Sequence, residues 1–169
     1  AYPEWVPDAP EGTIGALGKH YVEKYLKLQP QAERLVNKAL LNHAYVGLIA
    51  MMLPKALIVE TRRNAIDTCL SCYFKDLKPI HHYAIRLETL GHFYRLYTEL
   101  MTHWKEVLPS LLTVRYEQFI EDAGGAAASL LESSGLSPEP LGAAARPDFQ
   151  RLAGQAARIQ GRSRPLAEL

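Results

Sequence analysis

Apolar residues recur along the chain with two different periods, and the changes of period mark its elements. Over 13–28, Ile14, Leu17, Tyr21, Tyr25 and Leu28 follow one another at steps of three and four, the spacing that gathers side chains on one helix face. Thr13 stands where a cap is needed and Pro30 where a helix must stop. The stretch "ERLVNKALLNHAYVGLIAMMLP" predicts a short strand at Arg34 to Asn37, a turn holding Lys38, and a helix from Asn42 to Leu53 that halts at Pro54. The unbroken apolar run Ala56 to Val59 predicts a central strand covered on both faces, because a strand buried on one face only would alternate. Asn64 is the predicted N-cap of a helix reaching Leu77. The longest regular signal is Tyr83, Leu87, Leu90, Tyr94, Tyr97, Met101, Trp104 and Leu108, the apolar stripe of one long helix ended by Pro109. A strand in "LLTVRYE" and a helix over "QFIEDAGGAAASLLESSGL" follow.

Strand, helix, strand, helix, long helix, strand, helix is the order of an α/β protein whose parallel sheet is joined by helical crossovers. Residues 1–134 carry these elements. Residues 135–169 change character: Ala, Gly, Pro and Arg dominate, large apolar residues are few, and a loosely packed tail is expected.

Composition narrows the function classes. Lys+Arg 19 against Asp+Glu 18 leaves a formal charge of +1, which argues against a broad nucleic-acid surface and leaves room for one local anion pocket. No segment approaches the roughly 20 apolar residues of a membrane span. Cys69 and Cys72, three residues apart, make no disulfide framework and suit a reducing compartment, so a cytoplasmic location is expected. The chain begins at Ala1 without a methionine or a signal-peptide pattern, as a fragment or a processed form would.

Candidate chemistry gathers where α/β proteins collect ligands, at the carboxyl ends of strands, beside the positive end of the following helix. Arg63 falls there. Asn64 and Ser71, seven residues apart, share a helix face along which the Arg63 guanidinium can fold. A guanidinium fork plus a hydroxyl is a grip for a monoester phosphate. The other reading of the same residues pairs Arg63 with Asp67 or Glu60 and leaves Ser71 as a tolerated helix serine. Lys38 and Tyr116, each placed after a predicted strand, would lie at the same sheet edge. A lysine there can neutralise charge on a transferred group, and a tyrosine can stack on a purine. Cys69 and Cys72 followed by His81 and His82 contain metal-ligand residue types, but small side chains packing on a sheet explain the cysteines, and no metal is expected. The aromatic stripe is foremost core packing.

The ordered segments "VNKALLNHAYVGLIAMMLPKALIVETRRNAIDTCLSCYF", "HFYRLYTELMTHWKEVLP" and "VRYEQFIED" resemble sulfotransferases of the tyrosylprotein and bacterial tetratricopeptide-linked types. The resemblance covers residues 28–122 and implies a partial P-loop-like, helix-rich α/β fold. It implies that Arg63 and Ser71 hold the 3'-phosphate of 3'-phosphoadenosine 5'-phosphosulfate, that Tyr116 lies near the adenine, and that Lys38 steadies the sulfuryl group in transit. The acceptor would be a hydroxyl or amine on a small molecule or peptide. Complete members of the family begin with a strand and a Gly-rich phosphosulfate loop followed by a glutamate base. "APEGTIGALGKH" does not match that pattern, nor does "AGQAARIQGRSRP" match the family's cofactor-covering segment. The chain is therefore expected to be the central and C-terminal part of such a domain. Two readings stay open: a sulfotransferase or a fragment of one, and an inactive remnant serving as a nucleotide-binding or interaction module. An exposed sheet edge or the long helix would offer a route to a homo-oligomer.

Overall fold

The computed structural model describes residues 2–32, 34–75, 77 and 79–136. Helix α1, Thr13–Leu28, enters through Gly12, whose φ of 80° lies in the left-handed region that glycine tolerates. Thr13 is thus the first helical residue rather than the cap. A 3-10 turn at Asn42–Tyr45 leads into α2, Val46–Met52, together filling the predicted 42–53 helix. α1 packs on α2 at Gly18, which is buried directly against the Met52 backbone carbonyl.

The segment 34–39 has no regular structure and is exposed, with Val36 at 95%. The strand predicted at Arg34 to Asn37 is absent because nothing pairs with it: among the described residues the sheet contains only β1, Val59–Arg62, and β2, Leu112–Arg115. These two form a small parallel sheet, begun by the Leu112 N–H donating to the Ile58 carbonyl at 3.0 Å. The central strand therefore sits three residues later than the apolar run suggested. One face of it, carrying Glu60, is buried, while Val59 is partly open.

Helix α3, Ala65–Tyr73, ends four residues before the predicted Leu77. A 3-10 segment, Pro79–Ala84, precedes α4, Leu87–Val107. Arg86 is extended (φ −129°, ψ 139°), so the long helix starts after Tyr83 rather than at it. Tyr83 still joins the stripe by stacking on Phe93, ring centroids 3.7 Å apart. Leu90 and Met101 of α4 are buried, together with Val46 and Ala84. Gly47 of α2 lies flat against the Trp104 indole. α4 thus packs against the turn before α2, the 3-10 segment and α3. The result is a helix-rich α/β fold organised around α4.

The chain divides into two units, with the boundary between Thr113 and Val114. In the second, α5 (Tyr116–Glu121) and α6 (Ala123–Ser133) pack together and are separated at Asp122, whose side chain caps α6 by accepting from the Gly125 N–H at 2.9 Å. Most of the tail expected over 135–169 lies outside the described residues. Among the described residues no helix is long and apolar enough to cross a membrane.

The α1 and α2 contact can be tested by paired substitutions on one helix. A methyl at Gly18 would collide with the Met52 carbonyl, whereas one at Gly15 meets nothing within 4 Å. Gly18→Ala is expected to destabilise the protein by about 1–3 kcal/mol, and Gly15→Ala to stabilise it by about 0.5–1 kcal/mol, both measured by urea unfolding.

Candidate functional site

The junction between β1 and α3 is built by local bonds. Asn64 is extended (φ −45°, ψ 137°), and its side-chain oxygen accepts from the Ile66 and Asp67 N–H groups at 2.9 and 3.3 Å. It is the N-cap that the sequence indicated. Arg63, between strand and cap, donates from Nη2 to Asp67 Oδ2 at 3.1 Å. Of the two carboxylates open to it, Asp67 takes it. Both side chains remain about one-third exposed, at 34% and 37%. Ser71 is half-buried one turn beyond Asp67, so Asp67 and Ser71 share one side of α3, while Arg63 stands before its cap and bonds to Asp67. From α4, the Tyr94 hydroxyl donates to the Arg63 carbonyl at 3.4 Å.

Beneath this junction lies a group that the sequence analysis weighed only as an alternative partner for Arg63. Glu60 is 6% exposed. Its Oε1 accepts from the Tyr97 hydroxyl at 2.7 Å, and its Oε2 from Thr113 Oγ1 at 2.9 Å and from Lys105 Nζ at 2.6 Å. Burial alone would raise the Glu60 carboxyl. The hydrogen bonds from Lys105, Tyr97 and Thr113, with the Lys105 charge, outweigh it and hold the group below its ordinary value. The Tyr97 phenol moves the other way, raised by burial and by donating to an anion. The signal available in the sequence was an acid interrupting the apolar run "ALIVE", with Tyr97 and Lys105 eight residues apart on one long helix.

The remaining predicted residues are placed differently. Lys38 is exposed within the irregular 34–39 segment, so it follows no strand. Its neighbour Asn37 accepts from the Asn42 side chain at 2.8 Å, tying this segment to the turn before α2. Tyr116 is the first residue of α5, directly after β2, and belongs to the second unit. Arg63 lies between β1 and the Asn64 cap, and Ser71 within α3. Cys69 and Cys72 are free and half-buried. Burial, and then the neighbouring Cys72, push the Cys69 thiol up, away from the depressed range of reactive thiols. Among the described residues no group of His, Cys, Asp and Glu could hold a metal ion.

These features define a helix-rich α/β protein whose small parallel sheet is consistent with a sulfotransferase P-loop fold. The chain belongs to the sulfotransferase family, whose model matches residues 9–140. It is 27% identical over 135 residues to an uncharacterized protein of Aquifex aeolicus (strain VF5), an alignment covering 78% of this chain and 18% of that protein. The chain thus spans less than a fifth of that relative's length. No solved structure matches it significantly.

The Glu60 cluster has a testable pH signature. Its carboxyl is depressed in the folded protein, so the unfolded chain binds the proton more readily and stability rises with pH through this window. The contribution is complete above the ordinary glutamate value of 4.5 and disappears as pH falls through the lower folded value. Wild type is therefore expected to lose urea resistance below pH 4.5 more steeply than Glu60→Gln. At neutral pH, Lys105→Met leaves a buried anion without its cation and is expected to cost about 2 kcal/mol, less than for a fully buried pair because Lys105 is partly exposed.

Proposed function

We propose that the chain binds 3'-phosphoadenosine 5'-phosphosulfate and forms the 3'-phosphate end of a site that transfers its sulfuryl group to a hydroxyl or amine acceptor. What supports this reading is that Arg63, directly after a parallel strand, is bonded to Asp67 one helical turn before Ser71 on α3. The donor set suits a phosphate. A guanidinium offers paired N–H donors, Ser71 a hydroxyl, and the start of α3 the positive end of a helix dipole. Asp67 keeps the Arg63 fork on the α3 side that leads to Ser71.

When bound, the donor supplies an activated sulfuryl group. The chain's own contribution is positioning and charge: Arg63 and Ser71 fix the ribose phosphate, and Lys38 offsets negative charge as the sulfuryl group moves to the acceptor. Tyr116, which opens the first helix of the second unit, is assigned to the adenine on its motif alone. The tyrosylprotein and tetratricopeptide-linked likeness supports a hydroxyl or amine on a peptide or small molecule as the acceptor class.

A second reading, nucleotide binding without turnover, is favoured by the exposure of Lys38 in an irregular segment. Sulfate transfer from radiolabelled donor by this chain alone would eliminate it.

Titration calorimetry with adenosine 3',5'-bisphosphate tests the binding role. Arg63→Ala is expected to weaken binding by about 1.5–3 kcal/mol and Ser71→Ala by about 0.5–1.5 kcal/mol. Equal affinities for wild type and Arg63→Ala would remove the assignment.

A further inference from the structure

Three of the four residues 60–63 are charged, and two of these charges are met by ion pairs. Glu60 is paired with Lys105 at 2.6 Å and Arg63 with Asp67 at 3.1 Å. Arg62, the last residue of β1, is half-buried and has no ion pair or side-chain hydrogen bond among the described residues. The uncompensated charge of this junction is therefore that of Arg62, not of Arg63.

Strand alternation gives Arg62 the face that Glu60 uses, toward α4. In keeping with this, the Arg62 charge lowers the Tyr97 phenol, against the larger effects of burial and Glu60. Arg63, one residue past the strand, turns instead to Asp67 on α3. With Arg63 engaged on the α3 side and Arg62 on the strand face toward α4, the two forks suit a ligand with separated anionic groups better than a single phosphate. Arg62, half-buried, has also lost part of its hydration without gaining an acceptor among the described residues, a deficit that an arriving anion would remove.

We propose that Arg62 holds a second anionic group of a nucleoside 3',5'-bisphosphate-type ligand. This rests on the reading above, in which Arg63 and Ser71 take the 3'-phosphate. Arg62 would then contribute to affinity for the nucleotide whether or not the 3'-phosphate is present, and Arg63 to recognition of that phosphate.

The test is calorimetric titration of the chain with adenosine 3',5'-bisphosphate and with adenosine 5'-monophosphate. Arg62→Gln is expected to weaken both about tenfold, leaving their ratio intact, and to flatten the salt dependence of both. Arg62→Lys, which keeps the charge and loses the fork, is expected to fall between. Arg63→Ala should collapse the ratio by weakening the bisphosphate alone. Thermal unfolding of Arg62→Gln is expected to match wild type, since no internal partner is lost; if that variant unfolds, Arg62→Lys carries the comparison. Unchanged affinities in Arg62→Gln, or a loss confined to the bisphosphate, would overturn the proposal. An unchanged ratio in Arg63→Ala beside a tenfold loss in Arg62→Gln would overturn the Arg63 reading and not the anionic contact of Arg62. Absence of binding of either nucleotide to the wild-type chain would overturn both.

Discussion

A carboxylate taken out of water costs several kcal/mol unless its lone pairs are met by well-placed donors. Glu60 meets that condition only through side chains that lie far from it in sequence: Tyr97 and Lys105 from α4, and Thr113 from β2. The consequence is geometric more than energetic. α4 must lie across β1 in one register, and β2 must sit beside β1 with Thr113 level with Glu60. A hydrophobic residue at position 60 could be buried in many ways, whereas this carboxylate is satisfied in one.

That constraint matters because little else holds the sheet. Two short strands are marginal without a covering layer, and the buried apolar residues here are few. α4 provides the layer, with Leu90 and Met101 packed inward and Trp104 lying on Gly47. The same helix reaches the functional junction through Tyr94, which bonds the Arg63 carbonyl, while Asn64 pins the start of α3 from the other side. The turn that presents Arg62 and Arg63 is thus fastened by a helix packed beneath it and by a cap within it. The proposed transfer by positioning would need such fixed donors, since misplacing one by an ångström forfeits much of the gain.

How much of this was legible in the sequence depended on whether the signal was local. The Asn64 cap, the helix from 13 to 28, and the long stripe of α4 follow from spacing and capping chemistry, which neighbours in sequence determine, and all three are present. The start of α4 was misjudged because Tyr83 continues the apolar period through stacking on Phe93 while the backbone at Arg86 is extended. The strand at Arg34 to Asn37 was misjudged for the opposite reason. Leu35 and Val36 favour extended backbone, but a strand exists only with a partner, and none lies beside them among the described residues. The Glu60 cluster was out of reach for the same cause: its members are up to 53 residues apart, and no period links them. Of the candidate site, the Asn64 cap and the place of Ser71 within the helix it starts were legible, because capping and helical period are local.

The contact between Arg63 and Asp67 can be read as an argument against phosphate binding, and the balance of terms says otherwise. An arginine free in solution has about 2 kcal/mol of rotamer entropy to lose on gripping a ligand. Asp67 removes part of that loss beforehand by fixing the fork along α3 at 3.1 Å. Against this stands repulsion between the Asp67 carboxylate and an incoming phosphate. With both partners about one-third exposed, solvent screens that repulsion, and the pair itself is worth no more than about 1 kcal/mol. A charge-assisted fork to a phosphate is worth about 1.5–3 kcal/mol. On these terms the proposed phosphate would win the competition, and Asp67 would release a guanidinium already ordered beside α3. What Asp67 does subtract is net charge. With Arg63 paired with Asp67 and Glu60 with Lys105, the proposed attraction of an anion to this junction would rest on the cation at the end of β1 that has no ion pair among the described residues, Arg62.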